Sequence, residues 1–255
     1  MLTFVFLLHV GGEVFRLRFF NDQMDHFRMT NENELTGIKA CVFDAYGTLF
    51  DVHSPVGRVA DKLGDKAQAV SDLWRLKHLS YSWLRSLMDE YVPFWQVTGE
   101  SLDYALAAHG IDNPELREEL LNAYLTVDAY DDARVALAGL KAKGQATAIL
   151  SNGSPDMLDA AVTHSGLDKH LDYVLSVAEV GIFKPDARVY QLVVDRMGVE
   201  KHEVCFVSSN TWDAQAAANF GFQATRIDRF GLIDENIPGK PKLMLDSLTD
   251  LLDVV

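Results

Sequence analysis

The chain has 255 residues, of which 48% are hydrophobic and 24% are charged, a balance typical of a globular protein with a sizeable core. Its formal net charge of −14 argues against nucleic acid and against an anionic membrane surface as partners, because both reward clustered Lys and Arg. The two cysteines, Cys41 and Cys205, lie in apolar strand-like runs. We therefore expect buried, reduced thiols and a cytoplasmic protein.

Residues 1–37 are interpreted as an N-terminal extension of unclear role. The apolar run over residues 2–10 is too short to span a bilayer and lacks the cationic leader of an export signal, so neither an anchor nor a signal is predicted. Residues 13–20 alternate apolar and charged side chains as an edge strand does. The extension is either a dispensable segment or an appended arm, and Met29 is an alternative start of the functional chain.

A short apolar run over residues 39–43 ends at Asp44, and a turn containing Gly47 follows at once. Open α/β sheets place their chemistry at such strand ends. Asp44 is therefore predicted to lie where a buried strand meets a cleft.

Residues 54–128 show apolar residues at helical spacing and no convincing strand. A long helix is predicted over 66–91, where Pro93 stops it. Shorter helices are expected near 99–109 and 114–126, the second opened by Asn113 and Pro114. We interpret the whole segment as an inserted helical cap of a size to cover a cleft.

Helices and strands alternate after residue 131, which predicts a parallel sheet with helices on both faces. The expected fold is α/β, a Rossmann-like parallel sheet core with an inserted helical cap domain. The core would comprise residues 38–53 and 129–255, and the cap residues 54–128. The predicted helices are 131–143, 155–165, 185–197, 211–220 and one near 246–253, and the predicted strands are 145–150, 172–176, 203–207 and 223–227.

Polar side chains lie just beyond the carboxyl ends of these strands. Such ends converge on one crevice in a parallel sheet, so residues far apart in sequence become neighbours. The residues concerned are Asp44, Tyr46 and Thr48, then Ser151, Asn152 and Gly153, then Lys184, and finally Ser208, Asn210 and Asp213.

Four motifs in this order resemble the haloacid dehalogenase superfamily and, within it, the L-2-haloacid dehalogenases. They occupy residues 43–51, 151–153, 183–185 and 208–213. The cap segments 73–75 and 81–88 also resemble the dehalogenase branch. The resemblance runs from about residue 38 to the C-terminus.

Tyr46 separates this chain from the phosphatases of the resembled superfamily, which carry an Asp-x-Asp motif at the first strand. The second acid there protonates an alkoxide leaving group, whereas a halide leaves without a proton. Phosphatases also place acidic metal ligands after the fourth strand, where this chain has Ser208 and Ser209. Asp44 and Asp213 alone would make a poor Mg²⁺ site, so we expect no metal and no cofactor.

The resemblance implies that Asp44 attacks C2 of an L-2-haloacid, inverts that centre and forms an ester, which water then hydrolyses to a D-2-hydroxy acid. It makes Lys184 the cation that holds Asp44 ionised. Asp213 would activate the water or orient Lys184, and both roles stay open. Arg75 of the cap would receive the halide, and the ester would be held by Thr48, Ser208 and Asn210.

The same resemblance implies a set of substrate-binding residues. Ser151 and nearby N–H groups would bind the substrate carboxylate, Asn152 would help to cradle the halide, and Tyr190 would support the lysine. An apolar wall that keeps water from the carboxylate would be formed by Tyr46, Leu79, Phe94 and Trp212.

Each residue also has a plain structural alternative. Asp44 could be a turn carboxylate, Lys184 a surface charge, and Asp213 a first-turn helix residue. Ser151 and Asn152 could cap the following helix, Arg75 could pair with Asp72 on the surface, and Tyr190 and the wall residues could be ordinary core.

Three functions follow from different classes: a metal-independent dehalogenase, a phosphatase or other hydrolase of the same superfamily, and a binding protein that kept the pocket. The intact set Asp44, Lys184 and Asp213 favours an enzyme. Leu76 departs from the resembled family, in which Gln is frequent at this position, and we expect it to affect substrate range. The resemblance also implies a homodimer acting on a small 2-haloacid.

Overall fold

The computed structural model describes residues 34–255, together with the backbone of residues 4–10, 13–19 and 30–31. Nine strands and ten α-helices are described within these ranges. The strands are β1 (Phe4–Val10), β2 (Glu13–Phe19), β3 (Thr30–Asn31), β4 (Ala40–Phe43), β5 (Ala146–Ser151), β6 (Tyr173–Ser176), β7 (Val204–Ser208), β8 (Gln223–Ile227) and β9 (Leu243–Leu245). The helices are α1 (Ser54–Gly57), α2 (Ala60–Leu63), α3 (Ala67–Met88), α4 (Phe94–Ala108), α5 (Pro114–Leu125), α6 (Asp131–Ala142), α7 (Pro155–Ser165), α8 (Ala187–Met197), α9 (Thr211–Phe220) and α10 (Leu251–Val254).

The main sheet has six strands in the order β6-β5-β4-β7-β8-β9, and every neighbouring pair is parallel. This confirms the predicted α/β fold. β4 lies between β5 and β7, so the segment that ends at Asp44 has a strand on each side. The carboxyl ends of the three strands therefore lie side by side at one edge of the sheet.

β4 is buried on both faces, as its unbroken apolar run predicts. Its four residues are 0% exposed. Cys41 of β4 is the register partner of Cys205 on β7, and both cysteines are free and buried, as expected.

Residues 54–128 hold the helices α1 to α5 and no strand, in agreement with the prediction. The indole nitrogen of Trp74 on α3 donates to the carbonyl of Thr98 on α4 at 3.0 Å and ties these two helices together. The chain enters and leaves the segment at neighbouring points. The amide of Asp51 donates to the carbonyl of Asp128 at 2.8 Å, and the amide of Tyr130 donates to the carbonyl of Leu49 at 2.9 Å.

Three predicted boundaries are wrong. α3 ends at Met88, three residues before the predicted end at residue 91, because Asp89 adopts the left-handed conformation with a φ of +58°. α4 begins at Phe94, five residues before the predicted start at residue 99, because Pro93 opens it. The helix predicted near 246–253 is reduced to Leu251–Val254, because the residues before it form the edge strand β9 and Ser247 then opens a short 3-10 turn. The other predicted elements of the main sheet and its helices agree to within one or two residues.

The strand predicted over residues 13–20 is present as Glu13–Phe19, but it does not lie at an edge. It is the middle strand of a separate antiparallel sheet in the order β1-β2-β3. Met29 lies outside the described residues. No helix among the described residues is long and apolar enough to cross a membrane.

Candidate active site

Asp44 follows the last residue of β4 and continues its pairing with β7 by one step. Its amide donates to the carbonyl of Val207 at 2.9 Å. The chain then turns sharply at Gly47, whose φ of +92° suits a residue without a side chain. The Gly47 amide closes the turn on the carbonyl of Phe50 at 2.7 Å. The Asp44 carboxylate is thereby held at the sheet edge beside Ser208, the last residue of β7.

The Asp44 carboxylate is 7% exposed and is bonded at both oxygens. Oδ1 lies 3.1 Å from the Lys184 ammonium. Oδ2 accepts from Nδ2 of Asn210 at 2.6 Å and, at longer range, from the hydroxyls of Thr48 at 3.3 Å and Ser208 at 3.5 Å. Together these donors fix the orientation of the carboxylate. A simple turn role does not account for four converging side chains.

Lys184 is 1% exposed, so the alternative of a surface charge is wrong. Its ammonium lies between the carboxylates of Asp44 and Asp213, the latter at 2.7 Å, and 5.0 Å from the ring centre of Phe206. Burial lowers the pKa of this ammonium, but the two carboxylates raise it by more, so the pKa lies above its usual value. Lys184 therefore stays charged in an enclosed place.

Asp213 is in the first turn of α9, but it does more than complement the helix dipole. It is fully buried, and its second oxygen accepts from the hydroxyl of Tyr190 at 2.7 Å. Burial raises the pKa of Asp213 to about 6, with Lys184 opposing the rise and Asp44 adding to it. Burial also raises the pKa of Tyr190, so its hydroxyl stays protonated and donates.

The donor set around Asp44 differs from that of a metal centre. Within residues 34–255, no group of three or more His, Cys, Asp or Glu side chains is arranged to hold a metal ion. The two carboxylates that would be ligands, Asp44 and Asp213, both face the ammonium of Lys184. Their other neighbours include the donor groups of Asn210 and Tyr190, which satisfy a carboxylate without a metal.

Arg75 reaches the same site from α3. Its guanidinium donates to Oδ1 of Asn210 at 2.9 Å and approaches the carbonyl of Tyr46 at 3.5 Å. The alternative of a surface pair with Asp72 is wrong, because Asp72 accepts from Gln68 at 2.8 Å instead. A single amide, that of Asn210, thus connects the helical segment to the carboxylate of the core.

The loop after β5 supports the site through its amide and hydroxyl groups. Asn152 accepts from the backbone amide of Lys184 at 2.9 Å, and the Ser151 hydroxyl accepts from the amide of Gly153 at 3.0 Å. The alternative that Ser151 and Asn152 cap the next helix is wrong, because Ser154 is the N-cap residue of α7.

Aromatic rings enclose the side of the site next to Tyr46. The Tyr46 ring stacks on Tyr124 with 5.4 Å between ring centres and lies 6.3 Å from the ring of Phe94. Tyr46 and Phe94 are 4% and 2% exposed, so both rings are buried. Burial raises the pKa of Tyr46 well above its usual value and keeps its hydroxyl neutral.

Two predicted wall residues, Leu79 and Trp212, are less buried than Tyr46 and Phe94. Leu79 is half-buried on α3, one turn beyond Arg75, and Trp212 is half-buried at the start of α9. Trp212 packs edge-to-face on Trp83, with 5.4 Å between ring centres. Within residues 34–255, neither Leu79 nor Trp212 shares a hydrogen bond with the groups around Asp44. Trp212 lines a groove of about 670 Å³ together with Trp83, Leu87, Ile182, Phe183 and Ile237.

Sequence reasoning missed the part played by Ser209. Its amide donates to the Thr48 hydroxyl at 2.9 Å and its own hydroxyl donates to the carbonyl of Gly47. Ser209 thus holds the turn that carries Thr48. In the sequence it stands out only for not being an acid, although its position beside Ser208 at a strand end is a usable signal.

His78 and Tyr124 were also missed. Both are buried against the aromatic wall, and the spacing of three residues between Arg75 and His78 on one helix was the available signal. Leu76, by contrast, is 57% exposed, so most of its side chain faces solvent. Its departure from the resembled family therefore bears less on the site than its position in the sequence suggests.

Comparisons with known proteins agree on one family. The family model of the haloacid dehalogenase-like hydrolases matches residues 38–221. The (S)-2-haloacid dehalogenase 4A of Burkholderia cepacia is 49% identical over 84% of this chain and 93% of its own length. The (S)-2-haloacid dehalogenase 1 of Pseudomonas sp. (strain CBS-3) is 47% identical over 84% of this chain and 95% of its own.

A solved structure gives the same answer for the fold. The L-2-haloacid dehalogenase from Xanthobacter autotrophicus, with chloropropionic acid covalently bound, superposes with a TM-score of 0.80 at 37% identity. The match covers 85% of this chain and 97% of that one. The protein therefore belongs to the haloacid dehalogenase-like hydrolase family, in the branch of the (S)-2-haloacid dehalogenases.

Proposed function

We propose that this protein hydrolyses short-chain L-2-haloalkanoic acids to D-2-hydroxy acids through an ester on Asp44. The observation that carries the proposal is a buried carboxylate beside a buried ammonium, followed two residues later by Tyr46 where a phosphatase would need an acid. The relatives of this chain are named (S)-2-haloacid dehalogenases, and one solved neighbour holds chloropropionic acid covalently.

In the first step, an oxygen of Asp44 attacks C2 of the substrate from the face opposite the carbon–halogen bond. A carbon–oxygen bond forms as the carbon–halogen bond breaks, the halogen leaves as an anion, and the centre at C2 inverts. Lys184 keeps the attacking group ionised. No proton is needed by the leaving group, which is why an acid at position 46 is dispensable.

In the second step, water attacks the carboxyl carbon of Asp44 in the ester. The negative charge that develops on the carbonyl oxygen is stabilised by donors already aimed at this carboxylate, those of Thr48, Ser208 and Asn210. The 2-hydroxy acid leaves, Asp44 is restored as a carboxylate, and one proton is released. Asp213 accepts that proton or holds Lys184 in place.

The remaining residues bind the substrate. Arg75 receives the departing halide together with Asn152, and Ser151 with the neighbouring backbone N–H groups binds the substrate carboxylate. Tyr190 holds Asp213. An apolar wall that shields the carboxylate from competing water is supplied by Tyr46, Leu79, Phe94 and Trp212.

The proposed roles divide the chain into a catalytic core and a cap. Residues 38–53 and 129–255 form the catalytic core, and residues 54–128 form a cap that closes over it. Residues 1–37 precede the core as an N-terminal extension. The reaction needs neither a metal nor another cofactor, since its charges are met by Lys184 and Arg75.

The test is an assay of halide release from L- and D-2-chloropropionate in EDTA, alongside an aryl phosphate with Mg²⁺. We expect chloride from the L-enantiomer only, and none from the Asp44→Asn variant. No halide from either enantiomer, with phosphate released, would assign the protein to the phosphatases instead. If neither halide nor phosphate is released from any of these substrates, the protein is a binding protein rather than an enzyme.

A single-turnover reaction in ¹⁸O-labelled water tests the ester itself. Water attacks the Asp44 carboxyl carbon, so the label must appear in the Asp44 carboxylate and only in later turnovers in the product. Label appearing directly in the first product would mean that water attacks C2 without an ester.

We further propose a cytoplasmic homodimer. The end of α3 exposes Leu84, Leu87 and Met88, and Leu87 is 83% exposed, which is costly for a lone chain. Sedimentation should show a dimer that Leu87→Asp dissociates. Val135→Asp, at another exposed apolar position on α6, is the control that should leave the dimer intact.

The proposed cytoplasmic location is supported by the two free thiols and is tested by cell fractionation.

A further inference from the structure

The aromatic wall contains three buried polar atoms without a hydrogen-bond partner in the described residues. They are Nε2 of His78 and the hydroxyl oxygens of Tyr46 and Tyr124. The three side chains are 1%, 4% and 2% exposed, respectively. Leaving buried donors and acceptors unpaired costs free energy, and such groups in native proteins ordinarily bind water or a ligand.

The three residues are neighbours. The ring centre of Tyr124 lies 5.4 Å from that of Tyr46 and 5.3 Å from that of His78. His78 also stacks face-on against Phe94, with 5.1 Å between centres and 15° between planes. The polar cluster is therefore continuous with Tyr46 and Phe94, two residues of the proposed substrate wall.

His78 also shares a helix face with Arg75, which lies three residues before it on α3. Burial, and then the nearby guanidinium of Arg75, lower the pKa of His78 well below its usual value. The imidazole is therefore neutral and offers one N–H donor and one acceptor nitrogen. Burial raises the pKa of Tyr124 to about 12, so this hydroxyl is neutral as well.

A neutral cluster of donors and acceptors inside an apolar wall selects its ligand by chemistry. The three groups are neutral, so they themselves offer an ion no counter-charge to offset its lost hydration. A hydroxyl group, which both donates and accepts, matches what the three atoms offer. Water satisfies this description, since buried waters usually make two to four hydrogen bonds, and so does an alcohol on a bound substrate.

We propose that His78, Tyr46 and Tyr124 form a hydroxyl subsite, filled by water in the free enzyme and by a hydroxyl substituent on C3 of the substrate during turnover. The proposal rests on the dehalogenase activity proposed above and extends its substrates to L-2-halo-3-hydroxy acids. His78 is then a specificity-determining residue rather than part of an apolar core.

The test compares two substrates of nearly equal size, L-2-chloro-3-hydroxypropionate and L-2-chlorobutyrate, which differ by a hydroxyl in place of a methyl group. The measured quantity is the ratio of their kcat/KM values. In the wild type we expect this ratio to favour the hydroxylated acid, and in His78→Phe and Tyr124→Phe to fall at least about tenfold. Both variants keep an aromatic ring and lose the polar atom.

Tyr91→Phe is the matched control. The Tyr91 hydroxyl is also buried with no hydrogen-bond partner in residues 34–255, but its ring packs on Phe183, with 4.9 Å between centres. This variant should leave the ratio unchanged. A ratio that is the same in wild type, His78→Phe and Tyr124→Phe would overturn the subsite, as would a wild type that prefers the chlorobutyrate.

Calorimetric binding of the product pair, D-glycerate and D-2-hydroxybutyrate, separates this proposal from the activity itself. Wild type should bind glycerate more tightly, and His78→Phe should abolish the difference, whether or not halide is released. Equal affinities in wild type, with dehalogenation of 2-chloropropionate intact, would refute the subsite and leave the proposed function standing. If the binding preference is present but no halide is released from 2-chloropropionate, the proposed function is refuted and the subsite stands.

Discussion

The ammonium nitrogen of Lys184 lies 2.7 Å from a carboxylate oxygen of Asp213, and solvent reaches neither group. The same nitrogen lies 3.1 Å from Oδ1 of Asp44, so one buried ammonium pairs with two buried carboxylates. The two carboxylates depend on this cation, because removing it leaves like charges in an enclosed space.

Lys184→Met should therefore destabilise the fold by about 3 kcal/mol, as the loss of one partner from a buried ion pair does. Urea denaturation measures this loss. Lys141→Met is the control, because the Lys141–Asp172 pair is about one-third exposed and should be worth less than about 1 kcal/mol. Adding Asp213→Asn to Lys184→Met should recover part of the loss, and no recovery would mean that repulsion between the two acids is not its cause.

The rate of halide release should fall below about pH 6, since the pKa of Asp213 is raised by burial to about 6. Below that value the carboxyl gains a proton and can neither accept one from water nor pair with Lys184. A profile of kcat/KM against pH measures this fall on the acid side, the acid limb. Tyr190→Phe removes a hydrogen bond that lowers this pKa, so it should move the limb to higher pH.

The sign for stability is the opposite of that for activity. The folded pKa of Asp213 lies above its ordinary value of 3.8, so proton uptake by this group favours the folded state. That contribution is fully present below pH 3.8 and is lost as the pH rises through about 6. Asp213→Asn should flatten both the activity limb and this part of the stability curve, and a limb that persists unchanged in the variant belongs to another group.

Arg75→Leu should lower halide release by at least about 100-fold, because the leaving anion loses its cation and developing charge is the main target of electrostatic catalysis. Arg75→Lys should recover only part, since an ammonium lacks the planar fork that reaches Asn210. Initial rates with 2-chloro- and 2-bromopropionate measure both effects. Arg85→Leu is the control on the same helix, where Arg85 pairs with Glu100. Equal losses in the Arg75 and Arg85 variants would mean that α3 is merely destabilised.

Gly153→Ala should destabilise the protein by about 1–3 kcal/mol through overpacking. A Cβ at this position would lie 2.9 Å from Cδ2 of Leu158 and 2.9 Å from Cε2 of Tyr46, so the wall ring must shift. Thermal denaturation and KM should both respond. At Gly57, the added carbon would meet no atom within 4 Å among the described residues outside its own helix backbone and chain neighbours. Gly57→Ala should therefore be neutral or slightly stabilising, and a similar loss there would exclude the steric explanation.

Sequence reasoning predicted that the candidate residues meet at one sheet edge because parallel strands align their carboxyl ends. Asp44, Ser151 and Ser208 follow apolar runs that only a buried sheet explains, and their proximity needed no side-chain detail. The role assigned to Arg75 came from family resemblance, since nothing in the pattern of α3 distinguishes a helix face turned toward Asn210 from one turned to solvent. Resemblance alone also named Trp212 and Leu79.

What escaped prediction depended on the third dimension. The start of α4 was misplaced because Gly99 breaks the helical pattern, although it lies in the helix interior. β9 is a three-residue strand whose pairing with β8 decides its form, and short edge strands carry little signal of their own. The stacking of His78 and Tyr124 between helices α3, α4 and α5 was not predicted, because contacts between helices have no linear signature.

The hydrogen bonds from Asp51 to Asp128 and from Tyr130 to Leu49 have a consequence for how this architecture diversifies. The two ends of the helical segment lie side by side, close to the turn that follows Asp44. The segment is therefore an insertion that can be exchanged or shortened without rerouting the chain on either side of it. Asp44, Lys184 and Asp213 lie outside this segment, whereas Arg75, His78 and Tyr124 lie on its helices α3 and α5. Substitutions that alter what faces Asp44 from the helical side are therefore confined to one contiguous stretch of the sequence.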